Sequence, residues 1–220
     1  MTRNRFNQQL AELNMALIHM GQLCEEAIGA AVEALSAQDK EIAEEAIALE
    51  RMIDEKEREI QTLCLRLLMQ QQPVATDLRV ISSAMKMITD MERIGDQAAD
   101  IAEIVIPLAE AKQFQEPRFI AEMAVATRKM VTDSVAAYVN KDSEMAARVI
   151  ASDDNVDERF TRVIHQLSQA IAENPQKGEL ALELLMIAKY LERIGDHAVN
   201  IAEWVEYSIT GVHPDDKVGK

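Results

Sequence analysis

Aromatic side chains make up 4% of this 220-residue sequence, which holds only 7 glycines and 5 prolines. So little turn material, with so few aromatics, excludes the many short strands of a sandwich or barrel. The two cysteines, Cys24 and Cys64, form no Cys-x-x-Cys pair and lie in apolar helical patterns, so they read as buried thiols of a reducing compartment. No apolar run approaches the ~20 residues of a membrane span, and Met1-Thr2-Arg3-Asn4-Arg5-Phe6 leads straight into amphipathic sequence. The expectation is a soluble, cytoplasmic protein. Positive charge is also short: 23 Lys and Arg against 38 Asp and Glu leave a net charge of −15, which repels nucleic acid and anionic membranes.

What remains is aliphatic and helical, with 48% hydrophobic and 28% charged residues, in a chain long enough to bury a core without disulfides or structural zinc. Comparing the chain with itself is informative. The segment from Met91 to Glu103 returns as Leu191 to Glu203, an offset of 100, with Glu-Arg-Ile-Gly-Asp repeated intact. Upstream the offset is 103: Asp39, Ile47 and Asp54 correspond to Asp142, Ile150 and Asp157. The register changes in a loop, at Gln70-Gln71-Gln72-Pro73 in the first half and Glu173-Asn174-Pro175 in the second.

Apolar residues at three- and four-residue spacings predict three long helices per half. The first half reads as Arg5–Ser36, a helix capped by Asp39 and reaching Met69, and a helix capped by Thr76 and reaching Ala111. The second reads as Arg118–Val139, Asp142–Ala172 and Glu179–Ile209, after a break at Phe114-Gln115-Glu116-Pro117. Short connections make neighbours antiparallel. The predicted fold is all-α, two tandem three-helix bundles, with domains at 1–113 and 114–210 and a frayed tail at 211–220.

On the third helix, Leu78, Ile81, Ala84, Met85, Ile88, Met91, Gly95, Ala98 and Ala102 form the expected buried stripe. Glu92, Asp96 and Asp100 climb beside it at four-residue steps, and the second half repeats them as Glu192, Asp196 and Asn200. The second helix of each half carries another acidic pair, Glu50 with Asp54 and Asp153 with Asp157. Like charges at this spacing oppose helix formation, so something must offset them. Local salt bridges from Arg93 and Arg193 are one explanation, and a bound cation is the other. Gly95 and Gly195 mark a crowded point in each bundle, through close helix packing or through clearance for a ligand. A cation held by such carboxylates would be an oxygen-preferring ion, Mg²⁺, Mn²⁺, Ca²⁺ or ferric iron. His197, which breaks the repeat where the first half has Gln97, reads as a surface residue.

No nucleophile constellation, Gly-rich phosphate loop or GxSxG elbow is present. A di-iron bundle requires Glu-x-x-His, whereas the third residue after Glu92 and Glu192 is glycine. The 12 methionines read as core filler or as an adaptable partner surface.

From about Phe6 to Ile209 the chain resembles the PhoU family of bacterial phosphate-transport accessory and signalling proteins. The resemblance rests on the duplicated Glu-Arg-Ile-Gly-Asp segments and on Asp77-Leu78-Arg79-Val80-Ile81. Four family E/D-x-x-x-D motifs, associated there with metal clusters, match Glu50–Asp54, Glu92–Asp96, Asp153–Asp157 and Glu192–Asp196. The second half has Lys177-Gly178-Glu179-Leu180 in place of the Asp-Leu-Arg lead-in, so the two sites need not be equivalent. The resemblance implies a homodimeric, non-enzymatic regulator. It would couple a phosphate ABC transporter, through its ATPase subunit, to a sensor histidine kinase, reach the membrane only through these partners, and repress phosphate-starvation genes when phosphate is plentiful. The residues alone leave a second class open, a metal-dependent hydrolase with clustered carboxylates.

Overall fold

The computed structural model describes residues 2–71, 74–111 and 118–213, and among them every long element is a helix. In chain order these are α1 (Thr2–Ala37), α2 (Lys40–Gln71), α3 (Ala75–Ala111), α4 (Arg118–Asn140), α5 (Ser143–Glu173) and α6 (Gly178–Thr210), with a single 3₁₀ turn, Pro175–Lys177, before α6. Helices α1–α3 pack as one bundle and α4–α6 as a second. Helix α2 continues through Gln70 and Gln71, into the break expected at 70–73, whose remainder lies outside the described residues, as do the break expected at 114–117 and the tail beyond His213.

The duplication reaches down to the turns. Gln38 and Lys141, equivalent at the offset of 103, both take left-handed backbone with φ of 53° and 54°. The next residue closes each turn, Asp39 N donating to Ala34 O at 3.1 Å and Asp142 N to Ala137 O at 2.9 Å. It then caps the following helix: Asp39 Oδ1 accepts from Glu41 N at 2.8 Å, and Asp142 Oδ1 from Met145 N at 2.9 Å. A short carboxylate at this position satisfies amides that have no partner within the helix. Thr76 does not act in this way, because α3 already starts at Ala75 and Val74 O takes the bond from Leu78 N.

Burial separates inner helices from outer ones. Along α2 the fully buried Ala46, Ile53, Ile60 and Leu67 recur every seven residues, one narrow stripe suited to a helix covered on one side. On α3 the expected Ile81, Ala84, Ile88, Met91, Gly95, Ala98 and Ala102 are buried, Met85 is half-buried, and a second stripe includes Met87, Ile94 and Ile101. That second stripe is needed because α3 packs against α6 as well as against its own bundle, and α1 likewise packs against α4. Leu78, expected in the stripe, is 49% exposed, and Asp77 is buried instead. The alternating steps of three and four reach back from Ile81 to residue 77, leaving Leu78 on the flank. Both cysteines are buried free thiols, and burial pushes each up to about 12, which keeps them protonated and inert.

Candidate functional site

The carboxylates of the first bundle come from α2 and α3. Glu50, Asp54 and Asp96 each present an oxygen within 4.8 Å of the other two. Glu92, one turn before Asp96, is close enough that Asp96 and Asp54 act on it. Burial, and then the charges of Asp54 and Asp96, raise Glu50 above the ordinary carboxylate range. Glu92 is raised by burial and then by Asp96. Both shifts mark a place where negative charge is crowded and partly dehydrated.

Cationic side chains offset part of this charge. Arg93 Nη1 lies 3.1 Å from Asp96 Oδ2 and its Nε 3.4 Å from Glu92 Oε2, while Arg58 Nη2 reaches Asp54 Oδ2 at 3.0 Å. The salt bridges expected from Arg93 therefore form. Among the described residues Glu50 makes no ion pair, and it feels the longer-range charges of Arg51 and Arg58.

The second bundle repeats the arrangement with altered parts. Asp153, shorter by a methylene than its counterpart Glu50, sits among Asp157, Asp196 and Glu192. Burial, followed by these charges, pushes it up to about 6. Its Oδ1 is buried with no hydrogen-bond partner. Lys189 pairs with Glu192, whereas Arg193 makes no such local bridge among the described residues and acts on Asp100 of the first bundle. Asp196 is also raised, by burial first and Glu192 second. An orphaned carboxylate oxygen within an all-oxygen donor set fits a hard cation.

The two glycines do different work. A Cβ on Gly95 would lie 2.9 Å from Ile53 Cδ1 and 3.2 Å from its Cγ2, so this glycine lets α2 and α3 approach. A Cβ on Gly195 would lie 3.4 Å from Asp153 Oδ1, so here the space adjoins the orphaned oxygen.

Asp100 and Asn200 have partners across the seam between bundles. Burial and then Glu103 raise the Asp100 carboxylate, and the Tyr190 phenol of α6 acts on it more weakly in the opposite sense, lowering it. Asn200 Nδ2 donates to Asp90 Oδ1 of α3 at 3.1 Å. His197, expected at the surface, is half-buried with Nδ1 2.9 Å from the same Asp90 oxygen. Because α6 lies against α3, a position that faces solvent on a lone bundle becomes an interface position here. Asp90 and Tyr190 escaped notice in the sequence, although they differ between halves at matched positions, as Gln97 and His197 do.

Two three-helix bundles related by duplication, each with carboxylates from two adjacent helices on one flank, define a class of acidic tandem-bundle proteins. The family model described as "PhoU domain" matches residues 17–105 and 120–205, one match per bundle. The chain belongs to the PhoU family. It is 38% identical over 216 residues to the phosphate-specific transport system accessory protein PhoU homolog of Clostridium acetobutylicum, covering 98% of this chain and 99% of that protein. The homolog from Pseudomonas aeruginosa is 35% identical, with 94% and 86% covered. The crystal structure of PhoU from Pseudomonas aeruginosa matches with a TM-score of 0.87 at 35% identity, over 94% of this chain and 100% of that one. The phosphate transport system regulatory protein PhoU from Streptococcus pneumoniae matches at 0.85 and 29%, over 94% and 98%.

Proposed function

We propose that the chain is a cytoplasmic, non-enzymatic accessory protein of a phosphate-specific transport system. In this reading it couples the ATPase subunit of a phosphate ABC transporter to a sensor histidine kinase and keeps phosphate-starvation genes off when phosphate is plentiful. The observation that carries the reading is the likeness, over nearly the full length of both proteins, to relatives named as accessory proteins of that transport system. No helix among the described residues is long and apolar enough to cross a membrane, which suits access through partners. Homodimerisation and the division at 1–113, 114–210 and 211–220 belong to the same proposal.

Cations complete the proposal. Glu50, Asp54, Glu92 and Asp96 would hold one group, and Asp153, Asp157, Glu192 and Asp196 the other. Asp100 and Asn200 would join only by leaving their partners on the opposite helix. A bound Mg²⁺, Mn²⁺ or iron would supply charge neutralisation, tying α2 to α3 and α5 to α6.

The test is a clean deletion. Phosphate-starvation genes should be expressed in rich phosphate, and normal repression, with no second copy of the gene in the cell, overturns the reading. Hydrolysis of phosphate esters by metal-loaded protein, lost in Glu92→Ala, would replace it with a two-metal hydrolase.

A further inference from the structure

Where α1 meets α4, these helices and α2 enclose a shallow groove of about 860 Å³. Its lining sets Ala30 of α1, Ala48 of α2 and Ala121 and Ala124 of α4 beside Val32 and Leu49, while Gly29 is covered by the Arg128 guanidinium, which a Cβ there would meet at 3.4 Å. A helix laid on these alanines approaches closely, because interaxial distance is set by the side chains at the contact. Met52 and Val125 stand exposed beside it, at 48% and 69%.

Charge selects the occupant. Glu26, Glu33 and Glu45 line the groove, all exposed, and none makes an ion pair or hydrogen bond among the described residues. Arg128, a cation of the lining, is already held by Glu25 at 3.3 Å. Glu26, Ala30 and Glu33 follow at the three- and four-residue steps of one helix face, so carboxylates and lining run together along about two turns of α1.

We propose that this groove docks an amphipathic helix of a partner protein, its apolar stripe on the alanines of the lining and its flanking Lys or Arg side chains on Glu26, Glu33 and Glu45. An acidic or neutral helix would leave three carboxylates dehydrated and unpaired. A second copy of this chain, docked by the same face about a two-fold axis, would set these carboxylates against one another, so a homodimer would use another surface. A shallow open groove suits helix-in-groove recognition better than a small ligand, which needs an enclosing cavity. The proposal stands apart from the carboxylate sites and from the phosphate reading.

The probe is a labelled Leu/Lys amphipathic helix of about 18 residues, titrated onto the full chain by fluorescence anisotropy at about 0.15 M salt, beside a Leu/Glu helix with the same apolar pattern. The Lys helix should bind saturably and the Glu helix should not. Combining Glu26→Lys, Glu33→Lys and Glu45→Lys should weaken binding about tenfold or more. The control combination of Glu12→Lys, Glu55→Lys and Glu179→Lys changes net charge equally and should alter affinity less than about twofold. Equal losses in the two combinations mean attraction to net charge alone and overturn the proposal, as does equal binding of the Glu helix. A concentration-dependent dimer in sedimentation, dissolved by Val125→Asp, also overturns it by giving the groove to a second copy. If the groove combination fails to fold, Val125→Asp decides, because an exposed residue tolerates the change. It should weaken the Lys helix, and unchanged affinity overturns the proposal.

Discussion

Asp90 of α3 accepts a hydrogen bond from His197 Nδ1 of α6 at 2.9 Å, together with one from Asn200 at 3.1 Å. A carboxylate can only accept, so Nδ1 carries the hydrogen. Exchanging the repeats turns this contact into Tyr190 facing Gln97 and Asp100, and the Tyr190 phenol does act on the Asp100 carboxylate. In both contacts the first bundle supplies the carboxylate and the second supplies the groups that face it. Glu25 and Arg128, equivalent at the offset of 103, meet each other across α1 and α4 at 3.3 Å. The two bundles are thus related by an approximate two-fold axis. Pairing α3 with a copy of itself would set Asp90 against Asp100, two carboxylates, so these contacts also favour the first bundle pairing with the second.

Removing the acceptor should weaken this seam. Asp90→Ala leaves His197 and Asn200 without their partner and should cost about 1–3 kcal/mol in urea unfolding, and Tyr190→Phe should cost less. The two contacts share no residue, so the double variant should be additive within about 0.5 kcal/mol. Strong coupling would mean that the seam opens as one unit.

The glycines should respond with opposite signs. Alanine adds about 1 kcal/mol of helix propensity at either position. At Gly95 the new methyl meets Ile53, fully buried, at 2.9 Å, and overpacking of about 1–3 kcal/mol outweighs the gain. At Gly195 the nearest atom is 3.4 Å away, so Gly195→Ala should raise the melting temperature of metal-free protein. Melting curves of both variants check this.

Metal should stabilise the fold. A cation that binds only the folded state contributes about 2.7 kcal/mol at a hundred times its dissociation constant. Melting should rise with Mg²⁺, Mn²⁺ or iron at constant ionic strength, less so in Asp96→Asn with Asp196→Asn. No shift in chelated and reloaded wild type, with a lower-melting Asn variant in both states, would leave Arg93, Arg58 and Lys189 as the whole answer to the crowded charge.

Acid should stabilise the metal-free protein over a defined window. Asp153 moves from 3.8 to about 6 on folding, and Glu50, Glu92, Asp100 and Asp196 move in the same direction. A raised pKa means that the folded chain holds the proton more tightly, so the contribution is fully present below 3.8 and is lost as pH rises through about 6. Unfolding at stepped pH should show lower stability at the upper end of this window, and Asp153→Asn should flatten the slope.

The sequence by itself determined the helices, the cap at Asp39, the duplication and the faces that carry the acidic pairs. Each of these follows from local periodicity or from matching one half to the other. Tertiary structure decided which carboxylates meet. Asp96 joins Glu50 and Asp54, while Asp100, one turn further along, lies toward α6 and finds Tyr190. At 100° per residue each four-residue step advances the face by about 40°, so by Asp100, two steps beyond Glu92, the side chain has turned from one neighbouring helix to another. Which helix stands there is a property of packing between bundles. The same cause turned His197 from an expected surface residue into a partner of Asp90, and sent Arg193 to the opposite bundle. A repeat records what its two copies share, whereas their interface is written in the positions where they differ.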